Sequence, residues 1–159
     1  MPININSERE DTMLYVIALI IHVLAVVIWI GGVAFVTMIT FPIIQREQGS
    51  LEQVMMFQGI EHRFSRIAKV LVILTGISGF YLLSEKGFSI GAGIMIFVWT
   101  LYASLLFFLE KILFKRLFES PSGKQLNTAQ IFFRLQVFHW IILALSFSAI
   151  AAGIWVGHY

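Results

Sequence analysis

The sequence contains no cysteine and little charge: of 159 residues none is Cys, and only 13% are Asp, Glu, Lys or Arg. Without thiols there can be no disulfide scaffold, no thiolate metal site, no catalytic cysteine and no Cys-x-x-Cys-His haem attachment. A soluble domain carries about 25% charged residues, so this chain has too few to cover a water-facing globule or to stay disordered. A formal net charge of +2 is too small to point to nucleic acid. Phosphate loops, HExxH and Ser/His/Asp arrangements are also missing, as are internal repeats and low-complexity tracts. Hydrophobic residues instead make up 58%, with 15 Phe and 4 Trp. The mean hydropathy is +0.87.

The apolar residues fall into four blocks, which predict spans at about 13–44, 52–84, 90–118 and 128–157. Each is long enough to cross a bilayer as a helix, which needs roughly 20 residues. Transmembrane strands would alternate over about 10 residues, and these blocks do not. The expected fold is all-α, with 1–159 forming one integral membrane four-helix transmembrane bundle. The first block is not a signal peptide: it is too long, its leader Ser7-Glu8-Arg9-Glu10-Asp11-Thr12 is acidic, and no small-residue cleavage site follows. The stretch from Leu51 to Leu83 is on the order of 50 Å of helix, so the rods should extend beyond the hydrocarbon core.

Nine of the eleven Lys and Arg flank the links between spans one and two and between spans three and four; only Arg9 and Lys86 lie on the other side. The positive-inside rule then predicts an N-out/C-out protein of a bacterial- or archaeal-type cytoplasmic membrane. The short outer link Ser84–Ser89 predicts that spans two and three are antiparallel neighbours. Asn127-Thr128 reads as the cap of the fourth helix, and Ser120-Pro121-Ser122-Gly123 as the end of the third.

Small and polar residues mark inward faces in lipid. Span one carries His22, Ala25, Trp29, Gly32 and Val36 on one stripe. Span two carries His62, Ser65, Lys69, Val72, Gly76 and Gly79. Span three carries Thr100, Ser104 and Lys111, and span four His139, Ile142, Ser146, Ala149 and Gly153. The Gly76/Gly79 face suits packing within the bundle or a homo-oligomer contact. An ionisable group inside a span suggests function by default, so His22, His62 and His139 are the candidate metal ligands. Without Cys the choices are b-type haem, copper held by His and Met, or a proton relay. Haem needs an axial His, an apolar slot and cations for its propionates. Trp29 is a candidate for the slot, and Arg63, Arg66 and Lys69 for the propionates; snorkelling to the headgroups or pairing with Glu110 are further roles for Lys69. Counted from the outer helix ends, His22 lies roughly 15 Å in, His139 roughly 27 Å and His62 roughly 33 Å. His62 and His139 then suit one metal, and His22 a second site nearer the outer face. For copper, Met38, Met55, Met56 and Met95 are available, without a Met ladder beside a His.

The string IHVLAVVIWIGGVAF, with His22, Trp29, Gly31 and Gly32, resembles the opening helix of copper resistance protein D-type membrane domains. Arg63-Phe64-Ser65-Arg66 followed by Leu74-Thr75-Gly76 resembles their second helix, and His139 suits the fourth. The same His-x6-Trp-x-Gly opening is similar to HemJ-type protoporphyrinogen oxidases, small membrane proteins that bind b haem. That resemblance implies His22 as ligand, and both imply a redox or metal cofactor there. The expected function is therefore a b-type haem protein, with one or two haems, moving electrons within or across the membrane to or from a quinone or redox protein. Copper transport and porphyrinogen oxidation are the alternatives.

Overall fold

The computed structural model describes residues 5–46, 51–109 and 128–158, and all of these are helical except the turn at 87–89. The first rod is α1 (Ile5–Phe35), a π-helical turn (Val36–Thr40) and a short continuation α2 (Phe41–Arg46). Then come α3 (Leu51–Lys86), α4 (Ile90–Ser104) ending in a second π-helical turn (Leu105–Leu109), and α5 (Thr128–His158). Four of these helices are long and apolar enough to cross a membrane: Glu8–Ile44, Gly59–Lys86, Ile90–Phe108 and Leu135–Val156. Helix is the answer physics leaves open to such chains, because a lipid-exposed backbone must satisfy its own N–H and C=O groups. The protein is a multi-pass integral membrane protein.

Local chemistry sets the boundaries. The acidic leader, read from sequence as lying ahead of the first span, is itself helical; Glu8 sits in the first turn, where a carboxylate complements the helix dipole. α3 ends at Gly87, whose φ of 80° suits glycine and whose N–H reaches the Leu83 carbonyl at 2.8 Å. Ser89 then caps α4, its hydroxyl accepting from Ala92 N–H at 3.1 Å. The outer link is thus three residues rather than six. The expected caps at Asn127 and Ser120–Gly123, and the expected extension of span three to Phe118, lie outside the described residues.

Both π turns begin where a hydroxyl bonds back to its own helix. Thr37 Oγ1 donates to Val33 O at 2.7 Å, and Ser104 Oγ to Thr100 O at 2.8 Å. Such back-bonding perturbs the backbone ladder. In the first rod Pro42 comes next, and it lacks the N–H that a regular α-helix would need. The extra residue of the π turn rotates the α2 segment relative to α1, and Phe41 arrives fully buried.

The helices run alternately up and down. His22 lies against Gly79 while Gly32 lies against Phe64, so α1 and α3 are antiparallel; Gly91 meets Ala152 and Val156 while Tyr102 meets Ser146, so α4 and α5 are too. The Gly87 turn makes α3 and α4 antiparallel. The start of α1, the Gly87 turn and the end of α5 therefore share one end of the bundle, where Lys86 Nζ stands 5.9 Å from the Tyr15 ring centroid. α1 packs most extensively on α3, and α4 on α5. Trp29 and Tyr102 meet across the bundle, ring centroids 4.3 Å apart and nearly perpendicular. Around them lie Ala25, Val33, Ala68, Val72, Val98 and Ile142.

The inward stripes of spans one and four are as the sequence predicts. Two others need correction. In α3 the buried face is Ser65, Ala68, Val72, Thr75 and Gly76, and His62 is exposed. In α4 Thr100 and Ser104 are exposed; Gly91, Ala92, Val98 and Tyr102 face in. A hydroxyl that bonds its own i−4 carbonyl, as Ser104 does, needs no partner helix, so polarity there does not mark an interface. Gly76 and Gly79 are covered from within the chain, by Trp99 and His22.

Candidate functional site: two interior histidines

His22 is half-buried on α1 with its ring against α3. Its Nδ1 is 3.1 Å from the Thr75 carbonyl oxygen and 3.1 Å from Ser78 Oγ. A carbonyl can only accept. The one proton of Ser78 Oγ goes to Leu74 O at 2.6 Å, so toward His22 that oxygen also accepts. Nδ1 must therefore carry the proton. In the neutral ring Nε2 is then a bare lone pair, with no hydrogen-bond partner among the described residues. The ring fits because position 79 is glycine: a Cβ there would meet His22 Cε1 at 2.9 Å and Nδ1 at 3.3 Å.

His139 repeats this chemistry at the other end of the bundle. Its Nδ1–H donates to Leu135 O, one turn back on its own helix, at 2.8 Å. Phe41 stands edge-on to its ring with centroids 4.9 Å apart, and Phe138 with centroids 5.9 Å apart. Val36, Phe41, Ile44 and Leu135 form the small apolar cluster around it. Again Nε2 keeps its lone pair. A ring nitrogen bonded to a carbonyl while the other is bare is the arrangement that fixes a ligating histidine's tautomer and direction.

His22 stands apart from the other two candidate histidines. Thr75 is thirteen residues beyond His62 on α3, so His22 and His62 are about 20 Å apart along the bundle. His139 sits at the level of Phe41, nineteen residues beyond His22, which puts these two roughly 20–28 Å apart. His62, paired with His139 by depth counting, is exposed, whereas His139 is half-buried against Phe41 and Phe138. Among the described residues no group of three or more His, Asp or Glu could hold a metal ion.

The remaining candidates are spread along the bundle. Arg63 and Arg66 are exposed near the end away from the Gly87 turn, and Lys69 is half-buried one turn further in. Trp29 is only 4% exposed, and its indole N–H has no hydrogen-bond partner. Met38 and Met56 are exposed, and Met95 packs against Gly153. Glu110 and the side chain of Met55 lie outside the described residues.

Sequence reasoning missed the residues that hold the histidines. Thr75 and Ser78 flank Gly76 and Gly79, so a polar pair three apart beside small residues was a usable sign of a groove. Leu135 stands four before His139, an offset any helical histidine offers. Nothing in the sequence marked Phe41, because the π turn that rotates it inward is not a periodic feature. Tyr102 and Ser146 form the remaining buried polar pair, their oxygens 3.4 Å apart. Ser146 gives its proton to Ile142 O at 2.9 Å, so the phenol donates to Ser146. Compared with known proteins, the chain matches no family model, no curated protein and no solved structure.

Proposed function

We propose that this membrane protein binds b-type haem through His22 and His139 at two separate levels and passes electrons through the bundle. The observation that carries the reading is the shared state of the two rings: each gives its Nδ1 proton to a backbone carbonyl and keeps a free Nε2 lone pair. A ligand so held is oriented before any metal arrives. Three supports are independent of the rings. Aromatic side chains line the interior, with Trp29 and Tyr102 between the two levels and Phe41 and Phe138 around His139, the lower site, on the side away from the Gly87 turn. Arg63, Arg66 and Lys69 place cations on one helix near the lower end, on the side where propionates would point. A single histidine per level suits a group that brings most of its own metal ligands, as a porphyrin does.

When bound, haem supplies the one-electron chemistry. His22 and His139 would each offer one imidazole Nε2 to it, Trp29, Tyr102, Phe41 and Phe138 would give apolar contact, and the Nδ1–H bond to a carbonyl would raise the electron density at Nε2. The basic links favour a cytoplasmic position for the lower end, hence both termini outside. A quinone or a redox protein is the partner class for the electrons.

The test is the reduced-minus-oxidised visible spectrum of the full chain purified in detergent after expression with ample haem. The expected result is a Soret band with sharp α and β bands, and about one or two haems per chain. A colourless protein overturns the reading. Bound copper by elemental analysis without a Soret band would replace it with copper handling.

A further inference from the structure

Among the described residues, three polar side-chain atoms are buried in the interior without a hydrogen-bond partner: Trp29 Nε1, Ser65 Oγ and Thr75 Oγ1. Their residues are 4%, 6% and 6% exposed. In a membrane an unmade hydrogen bond of this kind is costly, because no bulk solvent competes to make it. Trp29 lies on α1, and Ser65 and Thr75 lie on α3, the helix against which α1 packs most extensively. Ser65 and Thr75 lie on the buried face of α3 with Ala68 and Val72 between them, and Trp29 shares one buried cluster with Ala68, Val72 and Tyr102. The order along the bundle is therefore the His22 level, Thr75, Trp29, Ser65, then the end bearing Arg63 and Arg66.

We infer that the α1/α3 seam holds a file of bound water running from Ser65 past Trp29 to Thr75, and that this file lets protons reach the level of His22 from the cation-bearing end. The chemistry of the three atoms selects water. Indole N–H can only donate, so the occupant must accept there, and the two hydroxyls can either donate or accept, which suits water at every position. Thr75 and Ser65 are ten residues apart, about 15 Å of helix, which no single small molecule in hydrogen-bond contact with both would span without an extended slot. Bulky rings already fill the openings such a slot would use: Phe64 covers Gly32 and Trp99 covers Gly76. Water fits narrow polar gaps and is normally found where buried groups lack partners. This inference makes no use of a metal on either histidine.

The protein contains its own control. Trp99 is a second interior indole, and its Nε1–H donates to Val72 O at 2.9 Å, directly beside the seam. The experiment is hydrogen–deuterium exchange of the indole N–H groups in the full chain, 15N-labelled at tryptophan and held in lipid nanodiscs, with water–indole cross-peaks recorded on the same sample. Trp29 should show a water cross-peak and exchange about tenfold or more faster than Trp99, whose hydrogen bond must open first. The double variant Ser65→Ala/Thr75→Val should slow Trp29 toward the Trp99 rate. Equal, slow exchange of both indoles with no water contact at Trp29 overturns the file, and that comparison needs no variant. A Trp29 rate unchanged in a folded double variant overturns the role of the two hydroxyls.

Discussion

The two helix pairs of this bundle are built from the same small residues and use them differently. Between α4 and α5 the contact is closed. Gly91 lets the backbones approach until an added Cβ would stand 2.9 Å from the Ala152 carbonyl oxygen, and the buried Tyr102–Ser146 pair is satisfied. Between α1 and α3 the glycines admit rings instead: Gly79 takes the edge of His22 and Gly32 the ring of Phe64. The same two helices carry the unpartnered polar atoms of Trp29, Ser65 and Thr75. Close backbone approach with satisfied polar groups is what membrane helix association needs. A seam that spends its glycines on an imidazole and leaves polar atoms open is less stable than it need be, and sites of function are where such departures concentrate.

Substitutions should separate the two seams. The largest expected effect is on the α1 side: His22→Ala should abolish the haem absorbance of the upper site while the helical circular dichroism stays as in the parent. Gly79→Ala is the finer version. Its methyl would stand 2.9 Å from His22 Cε1, so it should displace the ring and shift or reduce the same absorbance with little change in unfolding. On the α4 side, Gly91→Ala meets backbone rather than a movable ring. It should cost about 1–3 kcal/mol in denaturant unfolding and leave the spectrum unchanged. Tyr102→Phe removes one buried donor and should cost about 0.5–1.5 kcal/mol by the same measurement. Thr100→Ala should be the smallest, within about 0.5 kcal/mol, because that exposed side chain faces away from both seams. A Gly91 variant that bleached the protein, or a Gly79 variant that unfolded it, would erase the distinction.

The sequence was a good guide to whatever repeats along a helix. Block length gave four helices, and small residues at three- and four-residue spacing gave the inward faces of α1 and α5. It was a poor guide where one residue changes phase. The span-two stripe of His62, Ser65, Lys69, Val72, Gly76 and Gly79 put His62 inward, yet the buried face runs through Ser65, Ala68 and Val72 and leaves His62 exposed. The π turn ahead of Pro42 moved Phe41 onto His139, which no regular periodicity describes. Thr100 and Ser104 misled because a hydroxyl on a membrane helix can be satisfied by its own backbone. For the histidines, residue type was legible and state was not. Only the positions of the Thr75 and Leu135 carbonyls show that both rings carry their proton on Nδ1.

The central claim is that two interior histidines, far apart in the bundle, each present a free Nε2 to a haem. Pyridine haemochrome stoichiometry on the parent chain, His22→Ala and His139→Ala, purified side by side, tests it most directly. The account predicts a drop in haem per chain in each variant and a colourless double variant. Haem content that is unchanged by both substitutions, or a parent chain that binds none, would contradict it.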